Sequence, residues 1–317
     1  MPGPRGQGVT AGSDRLKAIV LVNAGGGSAG DDGAARVDEA LRKAGIDAEI
    51  EEVEGAKLAE RAKAAVEAGA RLVIAAGGDG TLSAVAGALA GSEAVLGILP
   101  LGTLNHLARD LGISFDLDEA AAVIAAGQEE RIDVARIGER PFVNNSAIGL
   151  YPLMVADREA QQARLGRSKR FAMLVAGLRT VARFHHHRLC LTVNGRETET
   201  VDTALLFVGN NDYRLDAGGA GQRESISDGR LCVIAMRRMG RMAFFAALVR
   251  ALAGRSRDSD MVRLDDVRTL RVASRRSHLR VAIDGETCHL SPPLDYAIEA
   301  GALRVIVPSP RAEAGQA

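Results

Sequence analysis

The chain has 317 residues, 47% of them hydrophobic, which is enough apolar material for two domains with separate cores. Its 40 basic and 40 acidic residues give a formal net charge of +0, so no overall positive field favours nucleic acid, and we expect no nucleic-acid partner. The three cysteines are far apart and odd in number, which excludes a disulfide framework and paired zinc ligands and indicates a reducing, cytoplasmic environment.

The two ends of the chain and its most apolar run indicate where in the cell we expect the protein. Residues 1–14 are rich in glycine and proline and lack the apolar stretch of a signal peptide, so we interpret them as a disordered leader, and residues 309–317 as a flexible tail. The apolar run at 242–254 is interrupted by Arg250 and is shorter than the ~20 residues that cross a bilayer. We therefore expect membrane contact, on the inner face of the plasma membrane, to be peripheral.

The first half of the chain alternates short β-rich runs with helical patterns, whose apolar residues recur at three- and four-residue spacing. This alternation is typical of βαβ units and a parallel sheet. The β-rich runs are residues 18–23, 47–53, 71–76 and 95–100. We predict a doubly wound α/β nucleotide-binding domain over residues 15–130, with its glycine-rich loops at the carboxyl edge of the sheet, where ligands bind.

The second half changes to short β-rich segments joined by turns, which favours an antiparallel β-sandwich over residues 131–308. The segments are residues 131–138, 141–149, 188–195, 203–209, 230–236, 269–274, 279–285 and 302–308. Two helical insertions are predicted, at 154–186 and 240–254. The last segment is the one that could return to the first domain.

A glycine-rich loop, GGDGT at residues 77–81, directly follows a predicted strand and opens a predicted helix. Glycines let the backbone approach phosphate oxygens, and the N–H groups of a helix start supply donors. Asp79 can hold Mg²⁺ or a ribose hydroxyl beside the phosphates. The alternative is a tight turn with Asp79 as the N-cap, but such a turn needs one glycine rather than three, so phosphate binding is favoured.

A second loop follows the next predicted strand and should lie beside the first. In it, Gly102 permits close backbone approach, Thr103 offers a hydroxyl, and Asn105 offers a donor and an acceptor. A Pro–Gly turn in which Thr103 caps the next helix explains the same residues and is compatible with ligand binding. The loop at 23–30 is also phosphate-compatible, but its low complexity makes it weaker evidence.

Five motifs together resemble the diacylglycerol kinase catalytic domain. They are GGDGT at 77–81, PLGTLNHLAR at 100–109, FVNNSAIGLYP at 142–152, SDGRL at 227–231 and IDGE at 283–286. GGDGT is shared with NAD kinases and more loosely with phosphofructokinases, whereas the PLGTxN element separates the lipid kinases from them. The resemblance covers nearly the whole chain and implies a first domain like that of NAD kinases and diacylglycerol kinases.

The resemblance implies ATP as the phosphate donor, bound between the two domains. The candidate nucleotide contacts are Asn23, Ala24, Gly25, Gly26, Gly27, Gly77, Gly78, Asp79, Gly80, Thr81, Thr103 and Asn105. The family usually has proline at the position of Ala24 and often glycine at the position of Leu104, so this chain departs from the pattern at two places.

Asp284 and Glu286 flank a glycine at the end of a β-rich run. A lipid hydroxyl has a high pKa, so its attack on phosphorus is helped by a carboxylate that accepts the proton. In the family this Asp-Gly-Glu carries the catalytic acidic group, which implies that one residue is the base and the other its positioning partner. From the residues alone, a β-hairpin with Asp-Gly at its tip is favoured.

A second Asp-Gly step lies at residues 228–229. In bacterial relatives the equivalent Asp helps to hold a structural Mg²⁺, so the resemblance implies a metal site at Asp228 with the backbone carbonyls of Ser225 and Arg230. Oxygen ligands suit a small divalent cation. An exposed turn explains the segment nearly as well.

Two other patterns are weighed for function. The histidines at 185–187 are adjacent, and neighbours on a helix point about 100° apart, so we expect a solvated, basic helix end rather than a metal site. Basic clusters lie at 163–170, 237–241 and 255–257, and the last two flank the apolar run at 242–254. That run could rest on an anionic membrane surface or pack against the sandwich.

We therefore expect an ATP- and Mg²⁺-dependent lipid kinase that phosphorylates diacylglycerol or a related lipid in phospholipid biosynthesis. A homodimer is compatible with the sequence. One alternative is an NAD kinase-like phosphotransferase, although the Asn-Glu step and the leucine-glycine-phenylalanine run of its acceptor site are not found at the expected places. The other is a non-catalytic lipid-binding protein of the same fold, which the intact Asp79, Asp284 and Glu286 argue against.

Overall fold

The structure is a computed structural model, which describes residues 18–24, 32–149, 186–214, 222–223, 225–238, 240, 243 and 260–309. Three of the predicted nucleotide contacts, Gly25, Gly26 and Gly27, lie outside the described residues. So do the predicted helical insertions at 154–186 and 240–254, apart from residues 186, 240 and 243.

The first half of the chain forms a parallel sheet. Its strands are β1 (Ala18–Asn23), β2 (Ala48–Val53), β3 (Leu72–Gly77) and β4 (Val95–Pro100). β1, β3 and β4 are buried almost throughout, as expected of strands covered on both faces. The pairing order is β2, β1, β3, β4, all parallel, so the loops that follow β1, β3 and β4 meet at one edge of the sheet.

Five α-helices and one short 3₁₀ helix, Gly55–Lys57, accompany this sheet. The α-helices are α1 (Gly33–Lys43), α2 (Leu58–Glu67), α3 (Asp79–Leu89), α4 (His106–Asp110) and α5 (Leu117–Ala126). The residues at the two ends of α5 explain where this helix begins and ends. Asp116 accepts hydrogen bonds from the N–H groups of residues 118 and 119, and Gly127 ends the helix at a φ of 67°.

The second half consists of strands. They are β5 (Glu129–Ile137), β6 (Arg140–Phe142), β7 (Asn145–Gly149), β8 (His187–Val193), β9 (Arg196–Thr203), β10 (Leu205–Asn210), β11 (Tyr213–Arg214), β12 (Gln222–Arg223), β13 (Leu231–Met236), β14 (Met261–Val267), β15 (Thr269–Ser274), β16 (Leu279–Ile283), β17 (Glu286–Leu290) and β18 (Leu294–Ile306). One antiparallel sheet has the order β14, β13, β10, β7, β16, β17. The other strands of this half, except the β11–β12 pair, join a ten-stranded sheet with β1 to β4.

The long strand β18 connects the two halves. Its first part pairs antiparallel with β15, and its last part pairs parallel with β4, while β5 runs along its other side. The register shifts between Glu299 and Leu303, where Gly301 has a φ of 61°. The second half is therefore fixed to the nucleotide-type sheet by continuous backbone hydrogen bonding.

Two separate hydrophobic cores match the two predicted domains in kind. One lies between the parallel strands and α1 to α5, and the other lies between the two facing sheets of the second half. The second core includes Phe142 and Tyr296, whose rings meet edge to face at 6.3 Å. The predicted fold class, an α/β domain followed by a β-sandwich, is confirmed. Among the described residues, no helix combines the length and hydropathy needed to cross a bilayer.

Some local expectations were wrong. His187 lies on β8, is buried, and pairs with Thr203 of β9, so this part of the histidine run belongs to a strand and not to a solvated helix end. The strands β9 and β14 had no counterpart in the sequence prediction. Both are at the end of a sheet and carry many charged residues, because an edge strand packs against one neighbour only.

Candidate active site

A cleft of about 630 Å³ lies where the carboxyl ends of β1, β3 and β4 face the tip of the β16–β17 hairpin. Most of its wall belongs to the first domain, including the whole of the predicted loop 77–81. Glu286 is the lining residue from the second domain. The structure therefore brings residues from distant parts of the sequence to one cavity.

The loop after β3 requires glycine for steric reasons. A Cβ on Gly77 would overlap the side chain of Thr81, and Gly78 is the extended N-cap residue of α3. Asp79 is thus the first residue of α3 and not its cap. The first N–H groups of a helix have no partners within the helix, so the start of α3 offers donors to an anion in the cleft.

The second loop touches the first through backbone atoms. A Cβ on Gly102 would lie 2.6 Å from the Cα of Gly78, so no larger residue fits without separating the loops. Asn105 is fully buried with a φ of 46°, and its Nδ2 donates to the carbonyl of Gly102 at 2.7 Å. Its Oδ1 has no hydrogen-bond partner among the described residues. The buried side chain of Asn105 therefore stabilises the conformation of this loop.

Asp79 ties the two loops together. Its Oδ1 accepts a hydrogen bond from the N–H of His106, the first residue of α4, at 2.5 Å. Asn105 occupies the N-cap position of α4, so the expected cap by Thr103 is absent, and Thr103 is exposed outside the cleft lining. The second oxygen of Asp79, Oδ2, has no partner among the described residues and is available to a ligand.

The carboxyl end of β1 contributes its last residue, Asn23. Its Nδ2 donates to the Oγ1 of Thr81 at 3.1 Å, and the side chain also lies against Gly55. The next residue, Ala24, donates its N–H to the carbonyl of Val53 at 3.1 Å. Asn23 is therefore held at the carboxyl edge of the sheet by contacts to two different loops.

Asp284 and Gly285 form the two-residue turn of the β16–β17 hairpin. Their φ values are 44° and 89°, as a primed turn requires, and Ile283 pairs with Glu286 across it. The hairpin interpretation and the site interpretation are therefore both compatible with the structure. The turn places the two carboxylates in different surroundings.

The carboxylate of Asp284 is enclosed by four hydrogen-bond donors. Its Oδ1 accepts from the N–H groups of Asn144 and Asn145 at 2.8 and 3.0 Å. Its Oδ2 accepts from the N–H of Val143 at 2.8 Å and from the hydroxyl of Ser83 on α3. Burial raises the pKa of Asp284, and these hydrogen bonds oppose that rise.

Glu286 is exposed and faces the first domain across the cleft. Its Oε1 lies 3.7 Å from the position that a Cβ on Gly80 would take. It therefore has room to contact a molecule placed over the start of α3. Of the two predicted acids, Glu286 lines the cavity. The carboxylate of Asp284 instead accepts hydrogen bonds from the backbone of residues 143–145 and from Ser83 on α3.

The described lining contains two carboxylates, Asp79 and Glu286, and no lysine or arginine. A polyphosphate in this cleft would meet helix N–H groups but no cationic side chain from the described residues. Carboxylate oxygens are the ligands that Mg²⁺ prefers. The donor set around Asp79 therefore fits a divalent cation carried with a nucleotide.

The second predicted metal site lies elsewhere. Asp228 is in an exposed turn, its N–H donates to the Oδ1 of Asn211 at 3.0 Å, and its carboxylate is 3.7 Å from Arg230. Ser225 belongs to the same loop. No three histidine, cysteine or acidic side chains of the described residues group together as metal ligands. The carbonyl-based site at Asp228 stays a prediction.

Sequence reasoning missed several residues that support the site. Ser83 binds Asp284, and Asn144 supplies one of the enclosing N–H groups. Asp133 is 1% exposed and accepts from the N–H groups of Gly229 and Gly301, which fixes β18 against the loop at 225–230. A polar residue within an otherwise apolar run was the one available signal for Ser83 and Asp133.

Models of two protein families match the chain in succession. The diacylglycerol kinase catalytic domain matches residues 17–137, and the YegS C-terminal NAD kinase beta sandwich-like domain matches residues 154–307. Residues 17–137 of the chain are therefore similar to the diacylglycerol kinase catalytic domain, and most of the remaining residues are similar to the second family. The family resemblance that the GGDGT and PLGTLN motifs carry is thereby confirmed.

Similar proteins include several named as probable lipid kinases. A probable lipid kinase YegS-like from Chromohalobacter salexigens is 28% identical over 260 residues, which is 80% of each chain. One from Klebsiella pneumoniae is 44% identical over 87 residues, and one from Cronobacter sakazakii 40% over 89 residues. These last two matches span 29% and 30% of the relatives' own length, so they reach less than a third of each protein.

Solved structures share the fold. A diacylglycerol kinase from Bacillus anthracis is 20% identical with a TM-score of 0.66, covering 94% of this chain and 98% of its own. A further chain from that organism reaches 25% identity and a TM-score of 0.73. An NAD kinase from Archaeoglobus fulgidus, solved in complex with ATP, is 14% identical with a TM-score of 0.51 over 92% of this chain. The fold of this chain is thus similar to that of an NAD kinase as well.

Proposed function

We propose that this protein is an ATP- and Mg²⁺-dependent lipid kinase, which transfers the γ-phosphate of ATP to the hydroxyl of diacylglycerol or a related lipid. The observation that carries the proposal is the cleft in which a glycine-rich helix start faces the exposed carboxylate of Glu286. The matches to the two family models, and a similar protein named as a probable lipid kinase, support the choice of a lipid hydroxyl as the acceptor.

The nucleotide would lie along the first-domain wall. Its phosphates would accept hydrogen bonds from the N–H groups at the start of α3, beside Gly77 and Gly78. Asn23, Thr81 and the backbone of Gly102 complete the described part of this wall. The NAD kinase of the same fold is in complex with ATP, which supports ATP as the donor.

Asp79 is the residue that would hold Mg²⁺ near the phosphates. When bound, the ion would neutralise charge that the described lining cannot neutralise with lysine or arginine. Asp79 keeps one oxygen on α4 and has the other available, so a single side chain can bind the ion and fix the second loop.

Glu286 would accept the proton of the lipid hydroxyl. As the lipid oxygen bonds to the γ-phosphorus, the bond to the β-phosphate oxygen breaks, ADP leaves, and the proton passes to the carboxylate. Asp284 is the weaker candidate base, because its two oxygens already accept four hydrogen bonds. We assign Asp284 to positioning and Glu286 to proton transfer.

The lipid would arrive from a membrane surface by peripheral contact. Leu104 and Phe115 are the exposed large hydrophobic residues of the described chain, at 40% and 46% exposure, and in sequence they lie on either side of α4. Arg109 lies between them and stacks over the Phe115 ring at 5.7 Å. This surface suits contact with an anionic membrane from the cytoplasmic side, and phospholipid biosynthesis is the corresponding pathway.

The test is phosphate transfer from radiolabelled ATP to a panel of acceptors in mixed micelles. The panel contains diacylglycerol, a sphingosine-like base, a prenol and phosphatidylglycerol, and NAD is offered separately. We expect Mg²⁺-dependent label in at least one lipid, lost in excess EDTA and restored by added Mg²⁺.

Other outcomes would contradict the proposal in distinct ways. Label in NAD with none in any lipid would make the protein an NAD kinase-like phosphotransferase. Lipid binding without label in any acceptor would make it a non-catalytic lipid-binding protein. Full transfer in excess EDTA would contradict the role of the metal.

A further inference from the structure

A buried arginine lies behind the active-site cleft. Arg223 is on β12, and its side chain is 1% exposed. A guanidinium is always charged, so its burial requires compensation. Its Nε lies 3.2 Å from the Oδ2 of Asp110, its Nη2 donates to the Oδ1 of Asn144 at 3.0 Å, and its Cζ is 5.4 Å from the ring centre of Tyr213.

The Asp110 contact leads to the first-domain wall. Asp110 is the last residue of α4, and the first N–H of that helix is held by Asp79. Burial raises the pKa of Asp110, and the nearby charge of Arg223 opposes the rise. The position of α4, and with it the second loop, is therefore fixed at both helix ends by a carboxylate.

The Asn144 contact leads to the second-domain wall. The N–H of Asn144 donates to Asp284, and its carbonyl accepts from the hydroxyl of Tyr213 at 2.9 Å and from the N–H of Asn210 at 2.9 Å. Arg223 holds the side chain of the same residue. One contact of Arg223 thus leads through α4 to Asp79, and the other leads through Asn144 to Asp284.

We propose that Arg223 is a positioning residue, which couples α4 to the segment 143–145 that binds the carboxylate of Asp284. In this way Arg223 keeps the first-domain and second-domain walls of the cleft in a fixed relative position. The inference rests on the proposed kinase function of the cleft. One cation joins an acid of the first domain, through an ion pair, to an amide of the second domain, through a hydrogen bond.

A role in stability alone is the competing explanation. Buried ion pairs add little net stability over apolar replacements, because desolvation offsets most of the attraction. Such a role predicts loss of folded protein without a specific effect on turnover. Coupling predicts a lower kcat in molecules that are fully folded.

The experiment compares Arg223→Met and Arg223→Lys with Arg271→Met, a control at an exposed arginine of β15 that is paired with Asp295. We expect kcat to fall at least about 10-fold in both Arg223 variants, with the KM for ATP within about twofold of wild type. Lysine should not rescue, since one ammonium group cannot hold both partners. Arg271→Met should match wild type.

A second readout does not depend on turnover. Hydrogen exchange followed by mass spectrometry should be at least about 10-fold faster for the peptide at 142–147 in Arg223→Met, and unchanged for the peptide at 72–77. If Arg223→Met does not fold, Asp110→Asn, which keeps size and removes the charge, should give the same pattern more weakly.

Three results would overturn the inference. They are an unchanged kcat in folded Arg223→Met, full rescue by lysine, or an unchanged exchange rate at 142–147. If the wild type phosphorylates no lipid, the proposed function fails, and the exchange arm still decides whether Arg223 couples the two walls.

Discussion

The two walls of the cleft are built from different parts of the polypeptide. The first-domain wall is backbone, formed by glycines 77, 78 and 102 at the start of α3 and in the loop before α4. The second-domain wall is side chain, formed by Glu286 and, behind it, Asp284. A backbone wall can bind phosphate in many enzymes, whereas the carboxylates determine what reacts there.

This difference determines how each wall can be broken. Adding atoms damages the first wall, because its glycines touch one another. Removing or neutralising a charge damages the second wall, because its geometry depends on a carboxylate that accepts from four donors. The following variants and conditions test one wall at a time.

Acid should have the largest effect, and it acts on the second wall. Since burial raises the pKa of Asp284, this group protonates at a higher pH than an ordinary Asp. A protonated carboxyl becomes a donor and cannot accept from Ser83 and all three enclosing N–H groups. We expect kcat to fall about tenfold for each pH unit below that raised pKa, as the ionised fraction does.

The contribution of Asp284 to the free energy of unfolding should change with pH in the opposite direction to kcat. A raised pKa means that the folded state binds the proton more tightly than the unfolded state, so this contribution is full below the unfolded pKa and is lost as pH rises through the folded value. Asp284→Asn should lack the part of both dependences that comes from this carboxyl group. A pH–kcat profile for Asp284→Asn that is identical to that of the wild type would contradict this assignment.

Gly102→Ala should have the next largest effect, on the first wall. The added methyl would lie 2.6 Å from the Cα of Gly78, and overpacking of this kind costs about 1–3 kcal/mol. If that cost falls on the nucleotide site, ATP binds roughly 10- to 100-fold more weakly by isothermal titration calorimetry. Gly240→Ala is the matched control, since its methyl would meet no described residue within 4 Å. Equal affinities for the two variants would exclude close contact of the loops as a requirement.

Replacing Asp79 should give a smaller effect that separates its two roles. Asp79→Asn keeps an oxygen for the N–H of His106 but removes the charge, so the KM for Mg-ATP should rise about tenfold at an unchanged Tm. Asp79→Ala also loses the hydrogen bond to the N–H of His106 at the start of α4. This loss costs about 1 kcal/mol and should lower Tm by about 2–4 °C. Identical Tm and KM values for both variants would show that Asp79 does not serve the two purposes separately.

Much of the fold could be predicted from the sequence because its central strands are continuous apolar runs. The predicted runs 18–23 and 95–100 coincide with β1 and β4, and the antiparallel character of the second half is also confirmed. The edge strands β9 and β14 could not be predicted in this way, because their charged residues give no apolar alternation. The ten-stranded sheet that unites both halves depends on β18, whose pairing with β4 is a long-range contact.

The part of the site that a glycine-rich motif forms with its own backbone was predictable from the sequence. The part that depends on hydrogen bonds between residues distant in sequence was less predictable. Residues 77–81 line the cleft as the glycine pattern suggested, and Glu286 faces them. The different surroundings of Asp284 and Glu286 were not predictable, because they arise from the N–H groups at 143–145 and from Ser83, 201 positions away from Asp284. Arg223 gave no signal, since its partners are Asp110 and Asn144.

The most direct measurement of the central claim is single-turnover transfer from γ-labelled ATP to the acceptor lipid in Glu286→Gln, beside wild type and Glu130→Gln. Glu130 is exposed and outside the cleft lining, so it controls for the loss of one surface charge. We expect Glu286→Gln to transfer phosphate at least about 100-fold more slowly than wild type, with ATP affinity close to wild type. A transfer rate in Glu286→Gln equal to that of Glu130→Gln would contradict it.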